Sequence, residues 1–160
     1  SSSRTPSKRI LTELSAYASS PSPLIPALAP LSSSNIFTLR AILSGSSLPP
    51  SSGYHSGRWL VSIILPPNYP VGAPKITFLT KVCHANIVWK TGEVCLDVLG
   101  ERWTPILGIV GALEAVVRLL GEPGTDSPLN VDVAALVRGG DWLGARALVG
   151  FYCNEERYEG

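Results

Sequence analysis

Apolar residues recur at helical spacing near the start of the chain. In Thr5-Pro6-Ser7-Lys8-Arg9-Ile10-Leu11-Thr12-Glu13-Leu14-Ser15-Ala16-Tyr17, the residues Ile10, Leu14 and Tyr17 share one face, which is the period of an amphipathic helix. Thr5 stands where a capping oxygen belongs. Pro6 takes the first helical position, where a missing N–H costs nothing. The pattern then changes to alternation. Asn35–Ile42 sets Phe37, Leu39 and Ala41 on one face, Arg58–Leu65 sets Trp59, Val61, Ile63 and Leu65, and Lys75–Thr80 pairs Ile76 with Phe78. These period-two runs predict strands. No helical pattern separates them and their connections carry Gly and Pro, so an antiparallel meander is expected, not crossover units. After Leu79 the helical period is silent for about 25 residues, a length of irregular chain that a compact domain usually keeps for function. It returns at Thr104, read as a cap, with Pro105 opening a helix. Ile106, Ile109/Val110, Leu113, Val116/Val117 and Leu120 form its apolar face, and Gly121 ends it. Two shorter helices are predicted beyond, from an Asn130 cap to Arg138 and from an Asp141 cap to about Cys153. The order is helix, three or four strands, irregular stretch, helices: an α+β fold.

Length and composition narrow the class. The 160 residues are read as one domain over 1–160, with 1–4 and 154–160 as flexible ends, and a chain of this size needs no staple to fold. Charged residues are 16% and hydrophobic ones 45%, which excludes a wholly disordered chain and a charged coiled coil. The net charge is +1 and no basic run exceeds Lys8-Arg9, so nucleic-acid binding has no electrostatic footprint. No stretch reads as a membrane span. The apolar helix after Pro105 contains Glu114 and Arg118, and the uncharged run 14–39 is broken by prolines. Membrane association is therefore expected only through a partner. Three cysteines, Cys83, Cys95 and Cys153, without C-x-x-C spacing, argue against a disulfide framework and a zinc clip, and for a reducing compartment.

Candidate chemistry collects in the irregular stretch: Cys83-His84-Ala85-Asn86-Ile87, then Gly92-Glu93-Val94-Cys95-Leu96-Asp97-Val98-Leu99, then Trp103-Thr104-Pro105. Cys95 is a nucleophile candidate, although a lone cysteine reads equally as a small buried hydrophobe. Glu93 and Asp97 flank it and no basic residue lies near in sequence. Close carboxylates disfavour the thiolate, the reverse of what a peptidase cysteine needs. Such a thiol suits an acyl donor that is already activated, such as a thioester. A hydrolase pairing Cys95 with His84 is disfavoured on that ground. A zinc site from Cys83, His84 and Cys95 lacks a fourth ligand.

These residues resemble the ubiquitin-conjugating enzymes. The resemblance rests on Lys8-Arg9-Ile10-Leu11-x-Glu13-Leu14, Tyr54-x-x-Gly57, Pro66-Pro67-Asn68-Tyr69-Pro70-x-x-x-Pro74-Lys75-Ile76-x-Phe78-x-Thr80-Lys81, His84-x-Asn86-Ile87, Gly92-x-Val94-Cys95-Leu96-Asp97-Val98-Leu99, Trp103-Thr104-Pro105 and Ser127-Pro128-Leu129-Asn130. It implies the fold of that family, with an N-terminal helix, a four-stranded antiparallel meander sheet and C-terminal helices. It implies that Cys95 accepts ubiquitin from an activating enzyme as a thioester and passes it on, with no cofactor and no metal. Asn86 would stabilise an oxyanion or hold the loop together, and both readings stand. His84 and Asp97 would support the site, as would Ser127, at the position where many members carry Asp, with Asp126 beside it. Lys8 and Arg9, by default a solvated face, would touch the activating enzyme and ligase. Pro70, Val71, Pro105 and Ile106 would form the surface for a RING-type ligase.

Three departures matter. Ala85 replaces the usual proline, Val71 is smaller than the residue often found there, and the last helix is short. The segment Glu122-Pro123-x-x-Asp126-Ser127-Pro128-Leu129-Asn130-Val131-Asp132 with Arg138-Gly139-Gly140-Asp141 resembles the peroxisomal branch. That branch implies a site on the cytosolic face of the peroxisomal membrane, through a peroxisomal membrane-anchor protein, and the matrix-protein import receptor as target, ubiquitinated for its recycling. The alternatives are an inactive ubiquitin-binding variant of the fold, which would lack the cysteine, and an enzyme of a non-peroxisomal, cytoplasmic pathway. A lysine and a cysteine acceptor both fit. Trp59 and Trp103 read as core or core-edge aromatics. Trp89 and Trp142 read as half-buried.

Overall fold

The structure, a computed structural model, describes residues 5–94, 96–121, 140 and 142–160, apart from the side chains of 96–98, 142, 143 and 145. Helix α1 runs Pro6–Ser19, with Pro6 in its first turn and the Thr5 hydroxyl accepting from the Lys8 N–H. The cap and the proline act as their positions predict. Ile10 is fully buried beneath it.

Four strands follow: β1 (Ala27–Ser32), β2 (Asn35–Ser44), β3 (Arg58–Ile64) and β4 (Lys75–Phe78). They lie side by side in chain order, each antiparallel to the next. Register turns the alternation of the sequence into rows. Leu39 faces Ile63, which faces Ile76; Ala41 faces Val61, which faces Phe78; Leu43 faces Trp59. All of these are buried. The row-building side packs beneath helices: α1 lies on β1 and β2, and a later helix, α3 (Gly108–Gly121), lies on β2 and α1. Burial of α3 residues such as Ile109, Leu113, Val116, Val117 and Leu120 closes the core. The pattern of polar and apolar positions did not single out β1. It is an edge strand of small residues with Pro30 inside it, a residue that edge strands tolerate because one side of the ladder is unpaired. Its burial is shallow, so the period-two signal is weak.

Two expectations for the second half need correction. The stretch after Leu79 is not helix-free, because α2 spans Leu96–Arg102. Seven residues are too few for a periodic signal, and Leu99 anchors the helix at 5% exposure. The helix expected from Pro105 begins three residues later. Thr104–Leu107 form a turn closed by the Leu107 N–H on the Thr104 carbonyl at 3.0 Å, and Gly108 then adopts φ +70°. Ile106, expected on the buried face, is 96% exposed.

The last helix, α4, runs Trp142–Glu155 and buries Val149 and Cys153. The predicted helix 130–138 and the Asp141 cap lie outside the described residues. The residues after α4 reach back to the start of β3. Tyr158 donates its N–H to the Arg58 carbonyl at 2.8 Å, Arg58 Nη1 donates back to the Tyr158 carbonyl at 3.0 Å, and Arg157 Nη1 donates to the Ser56 carbonyl. No helix among the described residues is long and apolar enough to cross a membrane.

Candidate active site

The segment that enters position 95 is pinned from two sides. The Phe78 N–H, at the end of β4, donates to the Gly92 carbonyl at 2.8 Å, and a bridge pairs Thr77 with Glu93. On the other side Val88 donates to the Glu93 carbonyl at 3.0 Å, and a second bridge pairs Ile87 with Val94. Gly92 makes this possible. Its φ is +76°, and a Cβ there would lie 1.9 Å from the Phe78 carbonyl oxygen, so neither the backbone angle nor the space admits a side chain. The residue before Cys95 is thereby locked beside the residue after Asn86. Beyond position 95 the chain enters α2. Cys95 itself, Ser127 and Asp126 lie outside the described residues, as does the side chain of Asp97.

His84, Ala85 and Asn86 form a buried turn, each at 1% exposure or less. His84 Nδ1 accepts the Asn86 N–H at 3.0 Å, which assigns the ring proton to Nε2, and Nε2 then donates to the Leu119 carbonyl at 2.9 Å. Burial pushes the His84 pKa down to about 4, so the ring is neutral at physiological pH. The Tyr54 ring lies 5.6 Å away, and its hydroxyl donates to the Cys83 carbonyl. With both ring nitrogens engaged by backbone, His84 offers no free lone pair at neutral pH to a substrate proton or a metal ion. The geometry speaks against a Cys–His hydrolase and against a zinc site using this histidine. Among the described residues no group of three His, Cys, Asp or Glu could hold a metal. Where a proline is usual, Ala85 sits in a turn held by two bonds, Asn86 N–H to the ring and the Ile87 N–H to the His84 carbonyl at 3.2 Å.

The other cysteines are structural in setting. Cys83 and Cys153 are each 4% exposed. Burial, with Cys83 nearby, pushes the Cys153 thiol up to about 12. Trp59 is core. Trp89 is half-buried against Tyr152, ring centres 4.6 Å apart, with the Lys81 ammonium 4.9 Å over its ring.

The residues expected to meet partners differ in exposure. Val71 is 75% and Ile106 96% exposed, adjacent in chain to Pro70 and the exposed Pro105. Lys8 is exposed, but Arg9 departs from the expected solvated face: its Nε donates to Glu13 Oε2 at 3.0 Å and its Nη2 to the Pro105 carbonyl. Sequence reasoning assigned no role to Glu13, Tyr69 or Gly108. The readable signal was the i, i+4 spacing of Arg9 and Glu13; their partners lie roughly sixty to a hundred residues away in the chain and carry no local pattern.

Three comparisons bear on this arrangement. A family model described as ubiquitin-conjugating enzyme matches residues 9–141. The ubiquitin-conjugating enzyme E2 PEX4 of Gibberella zeae is 44% identical over 162 residues, covering 99% of this chain and 93% of that protein. Protein PEROXIN-4 of Arabidopsis thaliana is 37% identical over 118 residues, covering 74% of this chain and 73% of that protein. Among solved structures, H. polymorpha ubiquitin conjugating enzyme Pex4p, in complex with the soluble domain of Pex22p, superposes with a TM-score of 0.86 and 31% identity, covering 96% of this chain and 100% of that one.

Proposed function

Because the chain belongs to the ubiquitin-conjugating enzymes, transferases that work through a thioester, we propose that Cys95 is the residue that carries ubiquitin. The observation that carries this reading is the double pinning of the segment Gly92–Val94 against β4 and against Ile87. It fixes Val94, the last residue before position 95, against Ile87, which follows the His84-Ala85-Asn86 turn. In the charging step the Cys95 sulfur attacks the carbonyl carbon of the thioester that joins ubiquitin to the activating enzyme. The new C–S bond forms as the old one breaks, and the departing thiolate takes up the proton that Cys95 loses. The energy of one thioester passes into another, so little acid–base help is needed.

Discharge needs more. An acceptor amine or thiol attacks the same carbonyl and charge develops on its oxygen. Asn86 supplies an amide donor to that oxyanion. An acceptor lysine must also lose a proton, and Ser127 with Asp126 and Asp97 lowers the cost of that step; a cysteine acceptor relaxes the demand. Pro70, Val71, Pro105 and Ile106 receive a RING-type ligase, and Lys8 and Arg9 add contacts to it and to the activating enzyme.

Similarity to PEX4 proteins, and to a Pex4p solved with the soluble domain of Pex22p, supports the finer reading. The enzyme works on the cytosolic face of the peroxisomal membrane, held there by a membrane-anchor partner, and ubiquitinates the import receptor for its recycling.

The test is direct. With activating enzyme, ATP and ubiquitin, a non-reducing gel should show a band heavier by one ubiquitin that reductant removes. Cys95→Ala should abolish it. Asn86→Ala should slow discharge by roughly a hundredfold, the scale of losing one oxyanion donor, while charging persists; equal loss in both steps, with lowered stability, would assign Asn86 to holding the loop. Failure of the folded parent enzyme, its cysteine intact, to become charged sinks the reading. The anchor is tested by binding to the soluble domain of a Pex22p-like partner.

A further inference from the structure

A single carboxylate joins three pieces of chain, and Arg9 links it to a fourth. Glu13, on α1, is 16% exposed in its side chain. Its Oε1 accepts the Ile109 N–H in the first turn of α3 at 2.7 Å, where the helix presents unpaired donors and a positive end. Its Oε2 accepts from Arg9 Nε at 3.0 Å and from the Tyr69 hydroxyl. Tyr69 is buried at 1% exposure, and burial together with that carboxylate keeps its hydroxyl protonated as a donor. Arg9 passes the connection on: its guanidinium lies 5.9 Å over the Tyr69 ring, and its Nη2 donates to the Pro105 carbonyl. The circuit closes through Trp103, whose Nε1 donates to the Pro70 carbonyl at 3.1 Å and whose ring stands 5.7 Å from Tyr69.

The two carbonyls at the ends of this circuit belong to Pro70 and Pro105, and the next residues are the exposed Val71 and Ile106. The loops share no strand or helix. They meet directly through the Trp103–Pro70 bond and the Tyr69–Trp103 ring contact, and the hydrogen bonds that converge on α1 tie both to the helix. Gly108 confirms how closely the carboxylate is seated: a Cβ there would lie 2.4 Å from Glu13 Oε1.

We propose that Glu13 is a positioning residue for partner docking, holding the Tyr69–Val71 and Trp103–Ile106 loops at the separation that a RING ligase and the activating enzyme recognise. The inference rests on the docking role given above to Pro70, Val71, Pro105 and Ile106. Among the described residues Glu13 bonds to Arg9, Tyr69 and Ile109 and to none proposed for acyl transfer, so it is expected to act on encounter and not on the chemistry at Cys95. A fixed supporting shell of this kind is what keeps a binding surface from loosening.

The experiment compares Glu13→Gln with the parent enzyme in three measurements: KM for the activating enzyme during charging, half-saturating ligase in ligase-stimulated discharge, and discharge of the preformed thioester onto free lysine without ligase. Glutamine keeps one acceptor for Ile109 but cannot accept from Arg9 and Tyr69 together. The expected result is a rise of about tenfold in both docking parameters, with unstimulated discharge within about twofold of the parent. Tyr69→Phe removes only one hydroxyl and should shift the same parameters in the same direction by less; it carries the comparison should Glu13→Gln not fold. Ile106→Ala serves as the marker of the surface itself. Docking parameters that rise in Ile106→Ala but not in Glu13→Gln or Tyr69→Phe overturn the proposal and leave the surface standing. No change in Ile106→Ala removes the surface, and the proposal with it. A parallel fall in unstimulated discharge also overturns it.

Discussion

His84 and Leu119 are joined by a hydrogen bond from the imidazole Nε2 to the backbone carbonyl, 35 residues apart in the chain and closed to solvent. The bond fastens the turn that carries Asn86 to the last turns of α3. Because Nδ1 is filled by the Asn86 N–H, the ring works as a strut between two backbone groups. It joins the loop of the proposed site to the helix that closes the core.

A strut that must stay neutral makes stability depend on pH. Burial holds the folded-state His84 near 4, against about 6.5 for an exposed histidine in the unfolded chain. The folded pKa lies below the unfolded one, so between those values the unfolded state binds the extra proton. The contribution is fully present above about pH 6.5 and is lost as pH falls toward 4, at a rate approaching 1.4 kcal/mol per unit. Urea midpoints measured from pH 7.5 to 4.5 should fall over that window. In His84→Gln the fall should be shallower, and an unchanged slope would contradict the neutral strut.

Gly92→Ala should be among the most damaging single substitutions. It forces a positive φ on a residue with a Cβ and drives that Cβ into the Phe78 carbonyl. Relief requires breaking the Phe78–Gly92 hydrogen bond and shifting the segment that enters Cys95. A loss of roughly 3 kcal/mol follows from the combined strain and lost bond. The charging rate should fall further than stability does, because the displaced segment leads directly into the residue proposed to carry ubiquitin. Thermal melts and charging time courses on the same sample measure both.

The legible parts of this molecule were those whose cause is local. Thr5 and Pro6 announce α1, and the alternation through Leu39, Val61 and Phe78 announces three strands, because one side of each faces the core. β1 escaped because Ala27, Ala29 and Pro30 bury little and alternate weakly at an edge. α2 escaped because seven residues hold too few turns to show a period. The start of α3 was misplaced for a different reason. Thr104 and Pro105 look like a local cap and first turn, yet the donor at Ile109 is satisfied by Glu13, from the other end of the chain. The cysteine and its neighbours were readable as a motif. What supports them, His84 on Leu119 and Gly92 under Phe78, is long-range contact that no spacing rule encodes.

Thiol chemistry should separate the three cysteines. Cys83 and Cys153 are buried, and Cys153 is pushed up to about 12 by its burial, so the reactive thiolate is scarce there and access is closed. Treatment of the native enzyme with iodoacetamide near neutral pH should add a single label, located at Cys95 by peptide mapping, and should abolish charging in step with labelling. In urea all three should react. Rapid native labelling of Cys153 would show that α4 opens readily.

The C-terminal residues provide a test of whether the chain's end contributes to the fold. Tyr158 exchanges two backbone-directed bonds with Arg58, at 2.8 and 3.0 Å, and the Arg58 guanidinium lies 5.8 Å from its ring centre. A second cation, Arg157, reaches the Ser56 carbonyl. These contacts cover the start of β3, where Arg58 pairs with Ser44 and Trp59 enters the core. Much of the ion contact is solvent-exposed and weak, so the gain lies chiefly in the backbone bonds and the ring. Ending the chain at Glu155 should therefore lower stability by about 1–2 kcal/mol, read as a lower urea midpoint with the slope unchanged. Charging of the folded truncated enzyme should proceed at the parent rate, because the tail grips β3 and not the segment before Cys95. An unaltered midpoint would mean that the end of the chain only rests on the sheet.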